Sequence, residues 1–258
     1  MRQVLDSFRG QRVLLIVGID IAQILRFNQA NRDNWVASIS KRLPPGTRLL
    51  DVGAGECRYR SLFAHCEYKT QDFSAYAGTK EGVLRDDWKY GQIDYVSDIT
   101  SIPVPDSSFD CVLCTEVLEH VPEPILAIEE FNRILKLGGN LFLSAPLGSG
   151  LHQQPYHYYG GFTPHFYRRF LVAFGFEIVR IEPNGGFFCH ALQEMNRAAQ
   201  IVQSHRNYRR WHPMYWILRL AFSCFIPIWF SRLDDEIFIE EFTVGYHVEA
   251  RKVREAKG

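Results

Sequence analysis

The most constraining feature of this sequence is a row of short β-rich runs, each bounded by Gly, Pro, Asp or Ser and alternating with stretches of helical spacing. Arg48-Leu49-Leu50-Asp51-Val52 is the first, introduced by the turn-forming Pro44-Pro45-Gly46 and stopped by Gly53-Ala54-Gly55. Glu67 to Asp72, Ile93 to Ser97, Phe109 to Thr115 and Asn140 to Ala145 follow. The first carries a buried-strand signal, and the alternation of such runs with helices predicts an α/β chain with a parallel sheet. The clearest helix precedes the last of them: Ile125, Ile128, Phe131 and Leu135 recur at helical spacing after Pro122 and Pro124. Lys136-Leu137-Gly138-Gly139 reads as its basic last turn and glycine stop.

Beyond these runs, Pro146 to Phe162 is rich in Gly, Gln, His and Tyr and has no periodicity, which predicts a functional loop. Thr163 and Pro164 then predict the N-cap and first turn of a helix through Phe174, ended by Gly175. Phe176 to Ile181 and Glu241 to Ala250 read as the sixth and seventh strands, and the long interval between them as a helical insertion. The expected organisation is a single domain over 1–258: an N-terminal helical segment (1–44), a core (45–182), the insertion (183–239), and a last strand with tail (240–258).

Charge and cysteine usage exclude some classes. Lys+Arg and Asp+Glu are 29 each, so the chain has no basic excess and no nucleic-acid partner is expected. Six scattered cysteines in a chain long enough to bury a large core predict a reduced, cytoplasmic setting. Cys111 and Cys114 form a C-x-x-C, but on a strand they point to opposite faces and cannot share a metal. The apolar stretch Val13 to Leu25 carries Asp20 and reads as a packed helix or hairpin. Met214 to Phe230 contains Arg219 and Pro227 and is too short to span a membrane.

Ligands of open α/β sheets settle outside the carboxyl ends of the strands, and the residues there are informative. The glycines of Gly53-Ala54-Gly55, expected to open a helix, let backbone approach a ligand closely. Asp72 ends the second strand at the distance where nucleotide-binding folds place a ribose-binding carboxylate, and Asp98 ends the third with Ile99 beside it. NAD is disfavoured, because Arg58 stands where the third glycine of a dinucleotide fingerprint would allow close helix packing.

Together, Leu49-Leu50-Asp51-Val52-Gly53-Ala54-Gly55, Asp72-Phe73-Ser74, Ser97-Asp98-Ile99, the run Phe109 to Val121 and Leu137-Gly138-Gly139-Asn140-Leu141 resemble the class I S-adenosylmethionine-dependent methyltransferases of the type 11 small-molecule branch, over about residues 45 to 182. The resemblance implies a Rossmann-like seven-stranded, mostly parallel sheet with helices on both faces and an antiparallel last strand. It also implies S-adenosyl-L-methionine as cofactor. Asp51, Gly53, Ala54 and Gly55 would line its methionine part, Asp72 and Phe73 its ribose, Asp98 and Ile99 its adenine. Thr115 and Glu116 would border the sulfonium, with His120 in the same motif. Glu56-Cys57 departs from the family's usual Thr-Gly or Ser-Gly, which puts the course of the glycine loop in question.

Methyl transfer from a sulfonium depends chiefly on alignment, and a base helps where the acceptor is a hydroxyl. His157, with His152 behind it, is the candidate base. Tyr156, Tyr158 and Tyr159 would bind a small-molecule, sugar or lipid-linked acceptor. His152, His157 and His165 lack the spacing of a zinc site, so no metal is expected. Trp211, Tyr215, Leu218, Phe222, Phe225 and Trp229 form an aromatic stripe that reads first as core. Its second reading is an interfacial helix making peripheral membrane contact through 208–230, with Arg206, Arg209, Arg210 and Arg219 alongside. The rival to the enzyme is a catalytically silent cofactor-binding scaffold that holds a partner through this insertion.

Overall fold

The structure is a computed structural model that describes residues 21–78, 88–206 and 212–256. Most of the Val13–Leu25 stretch, Trp211 and the side chains of Arg206, Arg209, Arg210 and Arg219 lie outside the described residues. The chain divides into two compact units: Arg32–Asn184 with Gly245–Gly258, and Gly185–Val244 with the segment up to Asn31.

The first unit is built on a seven-stranded sheet in the order β3-β2-β1-β4-β5-β7-β6. Its strands are β1 (Arg48–Val52), β2 (Glu67–Asp72), β3 (Tyr95–Val96), β4 (Phe109–Thr115), β5 (Leu135–Pro146), β6 (Phe176–Pro183) and β7 (Gly245–Lys252). β1 to β5 pair in parallel, while β7 runs antiparallel between β5 and β6, which is the Rossmann-like α/β arrangement the sequence implied. From β1 the chain winds outward through β2 and β3, then returns to place β4 on the other side of β1. The crossovers part between β1 and β4, and a ligand crevice forms outside the carboxyl ends of such a pair.

Strand alternation sorts the core into two layers. Leu50, Val52, Val112, Cys114, Leu141 and Leu143 share one face with Ile128 and Phe131 of the helix Pro124–Ile134. Leu49, Cys111, Leu113 and Phe142 share the other with Trp35, Val36 and Ile39 of the helix Phe27–Arg42. Cys111 and Cys114 therefore fall in opposite layers, and burial pushes the Cys111 thiol up to about 12. Near the sheet, Thr163 caps the helix Pro164–Ala173 through a bond from the Phe166 N–H, and Gly175 closes it at φ +85°.

Several boundaries differ from the sequence reading, and three of them change an element's extent most. The helix after Pro124 stops at Ile134, and Lys136–Gly139 is a turn inside β5: Phe109 pairs with Leu135 but Cys111 with Asn140, and Gly138 takes φ +82°. The third strand is only Tyr95–Val96. The last strand starts at Gly245 rather than Glu241, because Glu240–Phe242 closes a 3-10 turn with a bond from Thr243 N–H to Glu240 O. β7 is nevertheless interior, and its polar side chains are paired. Glu249 accepts both guanidinium nitrogens of Arg42, at 2.7 and 3.0 Å, and His247 stacks on Trp35 at 4.7 Å.

In the second unit, the helices Phe187–Arg206, Pro213–Leu220 and Ile226–Glu236 are the expected insertion. The reading of the aromatic stripe as core is not met: Ala221–Phe225 is a π turn that breaks the 3.6-residue period, and Phe225 and Trp229 are exposed. Asp234 holds this unit's loop, accepting from the N–H groups of Gly186, Phe188 and Cys189.

Lys252 is the most informative buried charge. Its side chain is 0% exposed, and Nζ donates to the carbonyls of Asn132 (2.8 Å) and Leu135 (2.9 Å) at the end of a helix and to Glu255 (2.8 Å). Lys252→Met keeps the apolar stem but strands two carbonyls, so urea unfolding should show a loss of about 2 to 4 kcal/mol. A change below about 1 kcal/mol would mean those carbonyls find other partners.

Candidate functional site

The site begins where β1 ends. Gly53 and Gly55 take φ +67° and +51°, which side chains disfavour, and a Cβ on Gly53 would come within 2.3 Å of Val117. A Cβ on Gly55 would strike the Trp88 ring at 2.6 Å, so this glycine makes room for an indole. The helix expected after the glycines is absent. Residues 54–66 instead turn by bonds of the 3-10 type, Cys57 to Ala54, Arg60 to Cys57 and Cys66 to Phe63. Cys57 itself has φ +54°, so the departure at Glu56-Cys57 interrupts helical winding at its first turn.

Across the crevice edge, buried Asp72 ends β2 and accepts from the N–H of Gly55 through Oδ2 and of Ser74 through Oδ1, both at 2.9 Å. A carboxylate has about four acceptor positions, so two remain for hydroxyl donors. Burial raises its pKa, against the backbone bonds. Phe73, half exposed, meets the Tyr156 ring edge-on at 5.0 Å. Asp98 lies two residues past Val96, the register partner of Asp72, so the two carboxylates stand on neighbouring strand tips. Its Oδ1 accepts from the backbone N–H (2.8 Å) and hydroxyl (2.7 Å) of Thr100. Ile99 is packed into the apolar layer. Asp51 is buried inside the sheet, with its carboxyl taken by the Tyr68 hydroxyl.

At the end of β4, Glu116 takes φ +54° directly after Thr115 and accepts from Ser144 Oγ at 2.8 Å. Its other oxygen pairs with Arg32 at 3.0 Å. The turn Leu118–His120 follows, and the Glu119 carbonyl accepts from the N–H groups of Tyr158 and Tyr159. The loop of residues 146–162 is thereby tied to the turn that follows β4. His120 Nδ1 lies 2.6 Å from the Tyr156 carbonyl, His152 Nδ1 2.9 Å from that of Gly150, and His157 Nε2 3.1 Å from Ser149 Oγ. The three rings cluster, with centroids 4.8 Å apart for His120 and His152 and 4.5 Å for His152 and His157. Burial, with the neighbouring imidazoles, pushes His120 down to about 4 and lowers His157. Tyr158 is exposed, while Tyr159 spends its hydroxyl on the Pro122 carbonyl at 2.9 Å.

Three participants were missed by sequence reasoning. Arg32 is remote in the chain and carries no local signature. Trp88 stands outside every strand. Glu119 sits in the recognised run, but nothing in its spacing shows that it is 1% exposed and faces the histidines.

Comparison with known proteins agrees with this geometry. Residues 50–143 match the profile of the methyltransferase-domain family. A ubiquinone biosynthesis O-methyltransferase of Xanthomonas campestris pv. campestris is 36% identical over 103 residues, 39% of this chain and 43% of that protein. The matched region thus spans less than half the length of this relative. A Haemonchus contortus phosphoethanolamine N-methyltransferase 2 in complex with S-adenosyl-L-methionine superposes with a TM-score of 0.52 at 16% identity, covering 87% of this chain and 53% of that one. The [4+2]-cyclase SpnF does so with a TM-score of 0.53 at 20% identity, covering 86% and 81%. Residues 50–143 are thus similar to S-adenosylmethionine-dependent methyltransferases, and the sheet that carries them has the Rossmann-like fold of those solved structures.

Burial pushes the Asp51 carboxyl up to about 7, opposed by the Tyr68 hydrogen bond and reinforced by Asp72. Between an ordinary carboxylate pKa near 4 and this value the folded chain binds more protons than the unfolded one, so stability falls as pH rises through that window. Asp51→Asn, whose carboxamide oxygen still accepts from Tyr68, should flatten the fall. Urea midpoints from pH 4 to 8 would check it, and an unchanged slope would assign the pH dependence elsewhere.

Proposed function

We propose that this chain transfers a methyl group from S-adenosyl-L-methionine to a hydroxyl of a small-molecule, sugar or lipid-linked acceptor. The observation that carries the reading is the Asp72 carboxylate, preset by Gly55 and Ser74 N–H groups where the ends of β1 and β2 meet. The residues fit such a cofactor: Asp72 has acceptor capacity for ribose hydroxyls, Asp98 stands on the adjoining tip for the adenine amine, and Gly53 to Gly55 with Thr115 and Glu116 border the methionine end. The bound cofactor supplies an activated methyl on a positively charged sulfur. Glu116, fixed by Arg32 and Ser144, holds a carboxylate beside that charge. The O-methyltransferase name of the Xanthomonas relative favours oxygen as the acceptor atom.

His157 is the group to take the acceptor's proton, with His152 behind it. Both lie on the loop that Tyr156, Tyr158 and Tyr159 share, and the lowered pKa keeps His157 neutral and able to accept near pH 7.

Calorimetric titration with S-adenosylhomocysteine tests the first half. Asp72→Ala, where folded, should weaken binding about ten- to a hundredfold, the loss of charge-assisted hydrogen bonds. Unchanged affinity would remove the ribose assignment. His157→Ala should lower kcat about a hundredfold or more on a hydroxylated acceptor with cofactor affinity intact, and a change in KM alone would make it a binding residue.

A lipid-linked acceptor draws support from the second unit, where Met214, Trp216, Ile217, Leu220, Phe225 and Trp229 are all exposed. No helix among the described residues is long and apolar enough to cross a membrane. Sedimentation with anionic vesicles should carry the chain down, whereas a chain left wholly in the supernatant would remove peripheral contact.

A further inference from the structure

The cluster around Glu119 has a chemistry that a cofactor pocket does not require. Glu119 Oε2 is buried without a hydrogen-bond partner among the described residues, and Oε1 lies 3.7 Å from His120 Nε2. One ligand atom each from Glu119, His120 and His152 falls within 4.8 Å of the others. In His120 and His152 alike, Nδ1 faces a backbone carbonyl and donates to it, which leaves the Nε2 lone pair unprotonated. That is the arrangement in which carbonyls orient and tune metal-binding imidazoles.

We propose that Glu119, His120 and His152 form a site for a divalent transition ion of the zinc type. Two imidazole nitrogens and a carboxylate suit such an ion better than magnesium or calcium, which favour all-oxygen shells. The edge of a tetrahedron with bonds of about 2.1 Å is about 3.4 Å, so the set closes on an ion by small side-chain shifts. Three protein ligands leave a fourth position open, the pattern of catalytic rather than structural zinc.

The role of this ion rests on the hydroxyl-methylation reading above. His157 adjoins the cluster, its ring 4.5 Å from His152 and 5.7 Å from His120. An acceptor hydroxyl at the open position would be polarised as a Lewis acid polarises oxygen. Its O–H bond would break with the proton passing to a nitrogen of His157, and the oxygen pair would form the new bond to the methyl carbon as the carbon–sulfur bond breaks and its electrons leave with the neutral thioether. In this arrangement His152 is a ligand and His157 alone is the base.

The test is calorimetric titration of the chelator-stripped full chain with zinc sulfate, with cobalt(II) absorption as a second readout. Wild type should bind one ion saturably, and cobalt should give the intense visible bands of a four-coordinate site. His152→Ala, on a loop and half-buried, should fold normally, weaken zinc at least about tenfold and lose the cobalt bands. His165→Ala, an exposed histidine outside the set, should change neither. No saturable binding to wild type, unchanged affinity in His152→Ala, or equal weakening in His165→Ala each overturns the site. S-adenosylhomocysteine affinity, measured on the same metal-free protein, separates this result from the cofactor reading: zinc can fail while the nucleoside binds, and the reverse.

Discussion

The bond pair that joins Gly55 and Ser74 N–H groups to the Asp72 carboxylate ties together everything the site can do. It couples the end of β1 to the end of β2, holds the glycine turn in its left-handed conformation, and keeps a carboxylate buried that would otherwise face a large desolvation cost. Charge-assisted bonds from backbone N–H groups are among the stronger ones available, and these two order a single short side chain. The crevice is thus shaped by main chain fixed in a sheet, with the side chain preset before any ligand arrives.

Around it the fold provides two kinds of rigidity. The parallel strands set which residues share a crevice: Asp72 and Asp98 on adjoining tips, Glu116 across the switch between β1 and β4. The loop of residues 146–162 is held differently, by single backbone bonds to the Glu119 carbonyl and by the Tyr159 hydroxyl on Pro122. Such attachments open at lower cost than a strand ladder, and loops that admit substrate are drawn from the less stable parts of a structure.

How far the sequence is legible follows from which force decides each element. β1 and β4 match the expected runs residue for residue, because apolar burial on both faces fixes where a central strand begins and ends, and β2 matches by pairing along β1 and ending at buried Asp72. β5 and β7 do not, because a turn inside a strand and a 3-10 turn before one depend on single φ choices, at Gly138 and around Glu240, that period-2 reading cannot see. The same blindness explains the missing helix after Gly55, where the left-handed Cys57 ends the winding. Asp72 and Asp98 were readable because they sit at fixed offsets on strand tips. Arg32 and Glu119 were not, since what matters about them is a partner or the lack of one, and that is settled only by folding.

Glu116 and Glu119 make this last contrast physical. They lie three residues apart at the end of one strand, yet Glu116 has an arginine and a serine, whereas Glu119 is more deeply buried and has one oxygen unpaired among the described residues. Burial and the nearby Glu116 charge together hold the Glu119 carboxyl well above the ordinary range. A buried acid in that position is accommodated in one of two ways, by a proton or by a cation. A proton would neutralise it but would leave the imidazole lone pairs of His120 and His152 facing the same space unused. A cation uses all three groups at once, and three groups converging from a strand end and a remote loop are more economically explained by one occupant than by three separate coincidences of packing.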